Sequence, residues 1–156
     1  MIEINDKAPE FCLKNQNDQN VCLKDFIAKW KVIYFYPKDN TPGCTLEARD
    51  FSQHLEEFEK QNVSIIGISP DSKESHKKFK QKHNLKINLL SDPNHKTIEE
   101  YGVWKQKKMF GKHFMGVIRS TFLINPEGKV VQIWPKVKVS GHADEVMRFI
   151  KKSEGL

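Results

Sequence analysis

The chain has 156 residues, 38% of them hydrophobic and 29% charged, and a formal net charge of +6. That balance suits one folded domain over residues 1–156 with its own core. It excludes membrane-spanning helices, because no apolar run approaches the ~20 residues needed to cross a bilayer.

The start, Met1-Ile2-Glu3-Ile4-Asn5-Asp6, has no basic region leading into an apolar stretch, so no secretory signal is expected and a cytoplasmic location follows. Phe11-Cys12-Leu13 and Val21-Cys22-Leu23 read as short strands around the polar turn Asn15-Gln16-Asn17-Asp18-Gln19-Asn20, a β-hairpin that sets Cys12 and Cys22 opposite one another. Val32 to Tyr36 and Val63 to Ile68 are continuous apolar runs of the kind found in buried strands. Between them Ala48, Phe51, Leu55 and Phe58 recur at helical spacing, which predicts a βαβ unit with parallel strands. Asp71-Ser72-Lys73-Glu74 signals the start of a helix to about His83, and Asp92-Pro93-Asn94 introduces a shorter one ending near Tyr101-Gly102. Ile118 to Ile124 and Val130 to Trp134 are strands joined by Asn125-Pro126-Glu127-Gly128, and Val146, Phe149 and Ile150 mark a last helix. A βαβ half, a hairpin and a terminal helix describe a thioredoxin-like α/β sandwich, a mixed central sheet flanked by helices, with an N-terminal β-hairpin.

Three cysteines, an odd number without a C-x-x-C pair, argue against a disulfide scaffold. The six histidines are scattered without metal-ligand spacing, and His54, His76, His83 and His142 read as surface residues of helices, so no metal or other cofactor is expected. The lysines thicken at Lys105, Lys107, Lys108 and Lys112, yet no recognition motif accompanies them, and nucleic-acid binding is not expected.

Thr41-Pro42-Gly43-Cys44-Thr45 carries most of the functional information. A strand and a Pro-Gly turn deliver Cys44 into the first turn of a helix, where unpaired N–H groups and the macrodipole favour a thiolate. Bringing a free thiol from ~8.5 to about 6 takes roughly 3.4 kcal/mol, whereas a helix end supplies at most about 2. A cation is therefore required nearby. Only Arg49 and Arg119 precede the last helix, and Arg119 opens the strand Ser120-Thr121-Phe122-Leu123-Ile124, which can hold it rigidly.

The segment Pro37-Lys38-Asp39-Asn40-Thr41-Pro42-Gly43-Cys44-Thr45-Leu46-Glu47-Ala48 closely resembles the active-site segment of peroxiredoxins, in particular the bacterioferritin comigratory or peroxiredoxin Q subfamily. Lys7-Ala8-Pro9-Glu10-Phe11, Ile68-Ser69-Pro70-Asp71, Tyr101-Gly102-Val103-Trp104 and Arg119-Ser120-Thr121-Phe122 extend the likeness over nearly the whole chain. The resemblance implies a peroxidatic Cys44 that attacks a hydroperoxide O–O bond and becomes a sulfenic acid. It also implies that Thr41 hydrogen-bonds the peroxide, that Arg119 steadies the thiolate and the leaving oxygen, and that Pro37 and Pro42 shape the loop and shield the sulfur. Glu47, which matches a common family position, reads either as an organiser of the active-site hydrogen bonds or as a residue that favours the helix N-terminus, and the second reading is preferred.

Many members of the subfamily carry a resolving cysteine five residues after the peroxidatic one, and here that position is Arg49; Ser72 to His83 contains no cysteine either. The remaining candidates for resolution are Cys12 and Cys22. The expected cycle is of the one-cysteine type, with thioredoxin, glutaredoxin or a small thiol as reductant, a hydroperoxide as substrate, and a monomeric enzyme. Two other readings compete with the peroxidase: a thiol–disulfide oxidoreductase, and a redox sensor or chaperone that docks through Lys105 to Lys112.

Overall fold

The computed structural model describes residues 1–154. Its strands are β1 (Cys12–Asn15), β2 (Asn20–Cys22), β3 (Trp30–Phe35), β4 (Val63–Ser69), β5 (Asn88–Ser91), β6 (Trp104–Met109), β7 (Lys112–Val117), β8 (Ser120–Ile124) and β9 (Val130–Trp134). The helices are α1 (Pro42–Gln53), α2 (Leu55–Lys60), α3 (Lys73–His83), α4 (Lys96–Glu100) and α5 (His142–Ser153), with a 3-10 turn at Leu23–Phe26. Seven strands form one mixed sheet in the order β2-β1-β5-β4-β3-β8-β9, and β6 and β7 form a separate ribbon.

The βαβ expectation holds, since β3 and β4 pair in parallel from Trp30↔Val63 to Phe35↔Ile68. Alternation along β3 divides the core. Val32, Tyr34 and Tyr36 pack with Ala48, Phe51, Phe58, Phe79 and Val146 on the face covered by α1, α2, α3 and α5. Ile33 and Phe35 pack with Ile68, Ile98, Tyr101 and Phe122 on the other face. Gly67 on β4 leaves room for Tyr34, because a Cβ there would stand 2.7 Å from the Tyr34 ring. The hydroxyl of Tyr34 is buried with no hydrogen-bond partner. Tyr34→Phe is therefore expected to stabilise the fold by about 1 kcal/mol, read as a raised urea midpoint at constant slope.

The N-terminal hairpin has the expected register, with Cys12 opposite Cys22. The Asn125–Gly128 turn also forms as read, Asn125 Oδ1 accepting the N–H groups of Glu127 and Lys129 while Gly128 takes φ +88°. Four features differ. The long helix after Cys44 breaks at His54, whose ring nitrogen competes for the Asp50 carbonyl at 2.9 Å and ends the i→i−4 ladder. β5 is a four-residue strand that gains its identity only by pairing with β4 and β1. The basic stretch from Lys105 to Lys112 is a β-ribbon whose turn residues Phe110 and Gly111 both have positive φ, as a type I′ turn requires, without the usual Asn-Gly signal. Met109, Phe110, Phe114 and Met115 stand exposed on that ribbon among the lysines. Finally, His76 and His142 are buried rather than on the surface: His76 bridges Asp39 and the Leu90 carbonyl, and His142 contacts Thr121 and Glu145.

Candidate active site

The site lies at the carboxyl edge of the parallel strands. After β3 the chain runs through Tyr36 to Asn40 and enters α1 at Pro42, which places Cys44 in the first turn. Pro42 fits there because its fixed φ suits a helix start and its missing N–H would have had no partner. The N–H groups of Gly43 and Cys44 belong to the set that the helix itself leaves unpaired, so a partial positive charge surrounds the sulfur. The helix turns Cys44, Glu47, Ala48 and Phe51 inward, and Cys44 is only 1% exposed.

Arg119 precedes β8, antiparallel to β3, and this register brings it over the start of α1. Its Nη2 donates to Cys44 Sγ at 3.3 Å and its Nη1 to Glu47 Oε1 at 2.7 Å. One planar guanidinium thus spans the sulfur and the carboxylate. Burial opposes the charge on Arg119, but Glu47 and Cys44 beside it hold its pKa above the ordinary value. Gly43 makes the approach possible, since a Cβ there would meet Nη2 at 3.2 Å.

The place of Glu47 favours the first of its two sequence readings over the preferred second. Instead of merely favouring the helix N-terminus it is 1% exposed, and burial pushes it up to about 7 although Arg119 pulls the other way. Its Oε2 has no hydrogen-bond partner. Thr41 sits at the N-cap of α1, yet its side chain makes no cap and instead donates to the Lys38 carbonyl at 2.8 Å. With its proton committed, the Thr41 hydroxyl offers lone pairs to an incoming O–H. Pro37 is half-buried at the end of β3, and Pro42 is exposed on the rim.

A buried hub behind the loop escaped the sequence reading. Asp39 accepts from Tyr36 Oη at 2.6 Å and Ser75 Oγ at 2.8 Å, and faces His76 Nδ1 at 2.7 Å, while its own N–H donates to Asp71 Oδ2 at 2.8 Å. These bonds tie the loop between Pro37 and Thr41 to α3 and to Asp71 in the turn after β4, which fixes where α1 begins. The ligand-type atoms of Asp39, Asp71 and His76 lie within 4.8 Å of one another, but each already has a hydrogen-bond partner, so the cluster is accounted for as a brace. Asp39 lies inside the motif itself, and that was the one available signal. Lys107 of β6 also belongs to the surroundings: its Nζ donates to the Val117 carbonyl, two residues before Arg119, and burial lowers its pKa.

Cys12 and Cys22 are bonded to each other, not to Cys44, which is the free cysteine of the described residues. Arg49 is exposed on α1.

Known proteins resemble this chain over most of their length. The AhpC/TSA family matches residues 4–133. Peroxiredoxin Bcp of Bacillus subtilis is 52% identical over 150 residues, covering 96% of both chains, and peroxiredoxin Bcp of Escherichia coli K12 is 38% identical over 151 residues, covering 97% of both. Among solved structures, the Xanthomonas campestris bacterioferritin comigratory protein, studied for alkyl peroxide reduction, superposes with a TM-score of 0.89 at 42% identity over 98% of each chain. A cysteine mutant of Xylella fastidiosa PrxQ gives 0.94 at 36% identity, covering 99% of this chain and 98% of its own. With the family match spanning most of the chain and both sequence and fold shared with these relatives, the chain belongs to the AhpC/TSA family and, within it, to the peroxiredoxins of the Bcp or Q type, which are thiol-dependent peroxidases.

Proposed function

We propose that Cys44 is the peroxidatic residue of a one-cysteine cycle acting on hydrogen peroxide and small organic hydroperoxides. The observation that supports this most directly is the Arg119 guanidinium, which reaches both Cys44 Sγ and Glu47 Oε1 across the first turn of α1. The anionic sulfur attacks the terminal oxygen of the peroxide along the O–O axis. Charge passes to the leaving oxygen, and Arg119 stabilises it there without having to reorganise, which is why a fixed donor lowers the barrier. Thr41 accepts the peroxide O–H and so aligns the bond to be broken. Pro37 and Pro42 form the wall that limits water around the sulfur. The products are an alcohol or water and the Cys44 sulfenic acid.

With Arg49 five residues on and no cysteine in α3, no neighbouring thiol discharges that sulfenic acid. The reductant comes from outside: thioredoxin, glutaredoxin or a low-molecular-weight thiol. The remaining parts of the reading are that residues 1–156 work as one domain, as a monomer, in the cytoplasm and without a cofactor, in cellular peroxide defence. No helix of the described residues is long and apolar enough to cross a membrane.

Stopped-flow mixing with hydrogen peroxide and with an organic hydroperoxide tests the assignment. The expected result is a rapid first phase of one equivalent at Cys44 in the reduced chain, absent from Cys44→Ser, and sustained turnover of the unmodified chain when one of the named thiols is added. Insulin-disulfide reduction without peroxide turnover would instead identify a thiol–disulfide oxidoreductase. Slow oxidation with no turnover under any reductant would identify a sensor.

A further inference from the structure

We propose that Cys12 and Cys22 form a second, reversible thiol centre whose dithiol form reduces the Cys44 sulfenic acid of another copy of this chain. The inference rests on the peroxidatic role of Cys44 and names one reductant for it.

Three observations carry it. The first is accessibility. Cys12 is exposed on β1 and its cross-strand partner Cys22 is partly covered on β2, so the pair offers one more open residue to an incoming partner with the second beside it. That is the geometry of a dithiol reductant, in which the open thiol attacks and the sheltered one closes.

The second is that the hairpin does not depend on the bond to hold the sulfurs together. Asn15 Oδ1 accepts the N–H groups of Asn17 and Gln19 and so shapes the turn, the Leu23 N–H donates to the Phe11 carbonyl, and the Cys22 N–H donates to Asp25 Oδ2. Phe11, Leu13, Val21 and Leu23 anchor the other side of the hairpin in the core. Opened or closed, the two sulfurs therefore face one another, and ring closure is an intramolecular step at high effective concentration.

The third is placement. Lys14 of β1 pairs with Ser91, the last residue of β5, and Ser91 aligns with Ser69, the last of β4. Cys12 accordingly projects past the same carboxyl edge that carries Cys44. Because Phe11 and Leu13 point to the α4 side, Cys12 lies on the side of α1 and α3. It is nevertheless three strands from β3, roughly 14 Å at ~4.8 Å per strand, so the two centres do not meet within one folded chain. They meet between copies.

The chemistry balances. The Cys12 thiolate attacks the sulfenic sulfur of Cys44 on a second copy; a sulfur–sulfur bond forms and the oxygen leaves, with two protons, as water. The Cys22 thiolate then attacks the Cys12 sulfur and expels Cys44 as its thiolate. Two electrons pass from the dithiol to the sulfenic acid, and an external dithiol later reopens the Cys12–Cys22 bond by exchange.

The test uses the fully reduced chain, one equivalent of hydrogen peroxide and no other thiol, with acid quenching, dimedone trapping and peptide mapping without reduction. The expected result is a Cys44 dimedone adduct at early times that gives way to the Cys12–Cys22 disulfide, at a rate proportional to protein concentration. Cys22→Ser should accumulate a dimer crosslinked through Cys12 and Cys44, and Cys12→Ser should prolong the sulfenic acid by at least about tenfold. Cys12 and Cys22 staying reduced while the adduct persists would overturn the proposal, as would disulfide formation at an unchanged rate in Cys44→Ser or at a rate independent of concentration. Absence of any Cys44 adduct would overturn the peroxidatic reading as well, which separates the two failures.

Discussion

Arg119→Ala is expected to lower the second-order rate constant for peroxide oxidation of Cys44 on the order of 10²–10³-fold, the loss typical of removing one preorganised donor to developing charge. The donor at 3.3 Å from the sulfur disappears, and so does the partner of Glu47 at 2.7 Å. Glu47, nearly fully buried, then stays protonated rather than carrying an unpaired charge, so the fold survives. Arg119→Lys separates charge from geometry. It keeps a cation but loses the planar fork that reaches two acceptors at once, and should recover only part of the rate. Stopped-flow traces of both variants against the unmodified chain provide the measurement. A loss below about threefold in Arg119→Ala would remove this arginine from the mechanism.

Stability that falls as pH rises toward neutrality is the second expected result. Burial pushes Glu47 from an ordinary 4.5 up to about 7, against the pull of Arg119. Below about 4.5 both the folded and the unfolded chain hold this proton, and no cost arises. Between the two values the folded chain keeps a proton that the unfolded chain has released, so the folded state binds more protons and stability declines with pH. Above about 7 the full cost is present. At about 1.4 kcal/mol per pH unit the gap corresponds to at most ~3.5 kcal/mol. Glu47→Gln is neutral throughout and still accepts from Arg119. Its urea unfolding free energy should match that of the unmodified chain near pH 4.5 and exceed it progressively toward pH 8. Parallel curves for the two proteins would show that Glu47 ionises without penalty. An anion retained at such a cost is consistent with a positioning role, in which the carboxylate fixes the guanidinium over the sulfur.

The sequence alone determined whatever depends on neighbours along the chain. The alternating and continuous apolar runs set β3 and β4, and the Pro-Gly turn put Cys44 at a helix start. A polar turn centred near Asn17 was enough to put Cys12 across from Cys22, because hairpin register follows from loop length. Arg119 was legible for a different reason: the energy a thiolate needs demanded a cation, and only two arginines stood before the last helix. Tertiary structure decided the rest. Whether Glu47 faces water or Arg119 depends on a partner 72 residues away, and helical spacing cannot supply that. His76 looked like a surface residue in a Lys-rich helix until Asp39, 37 residues earlier, enclosed it. β5 has too short an apolar run to declare itself, and β6 and β7 pair outside the main sheet with too little burial to show an alternating pattern. The physical reason is common to all of them. Periodicity and turn chemistry act over a few residues, whereas burial and the ion pairs it forces are set by segments that meet only after the chain has folded.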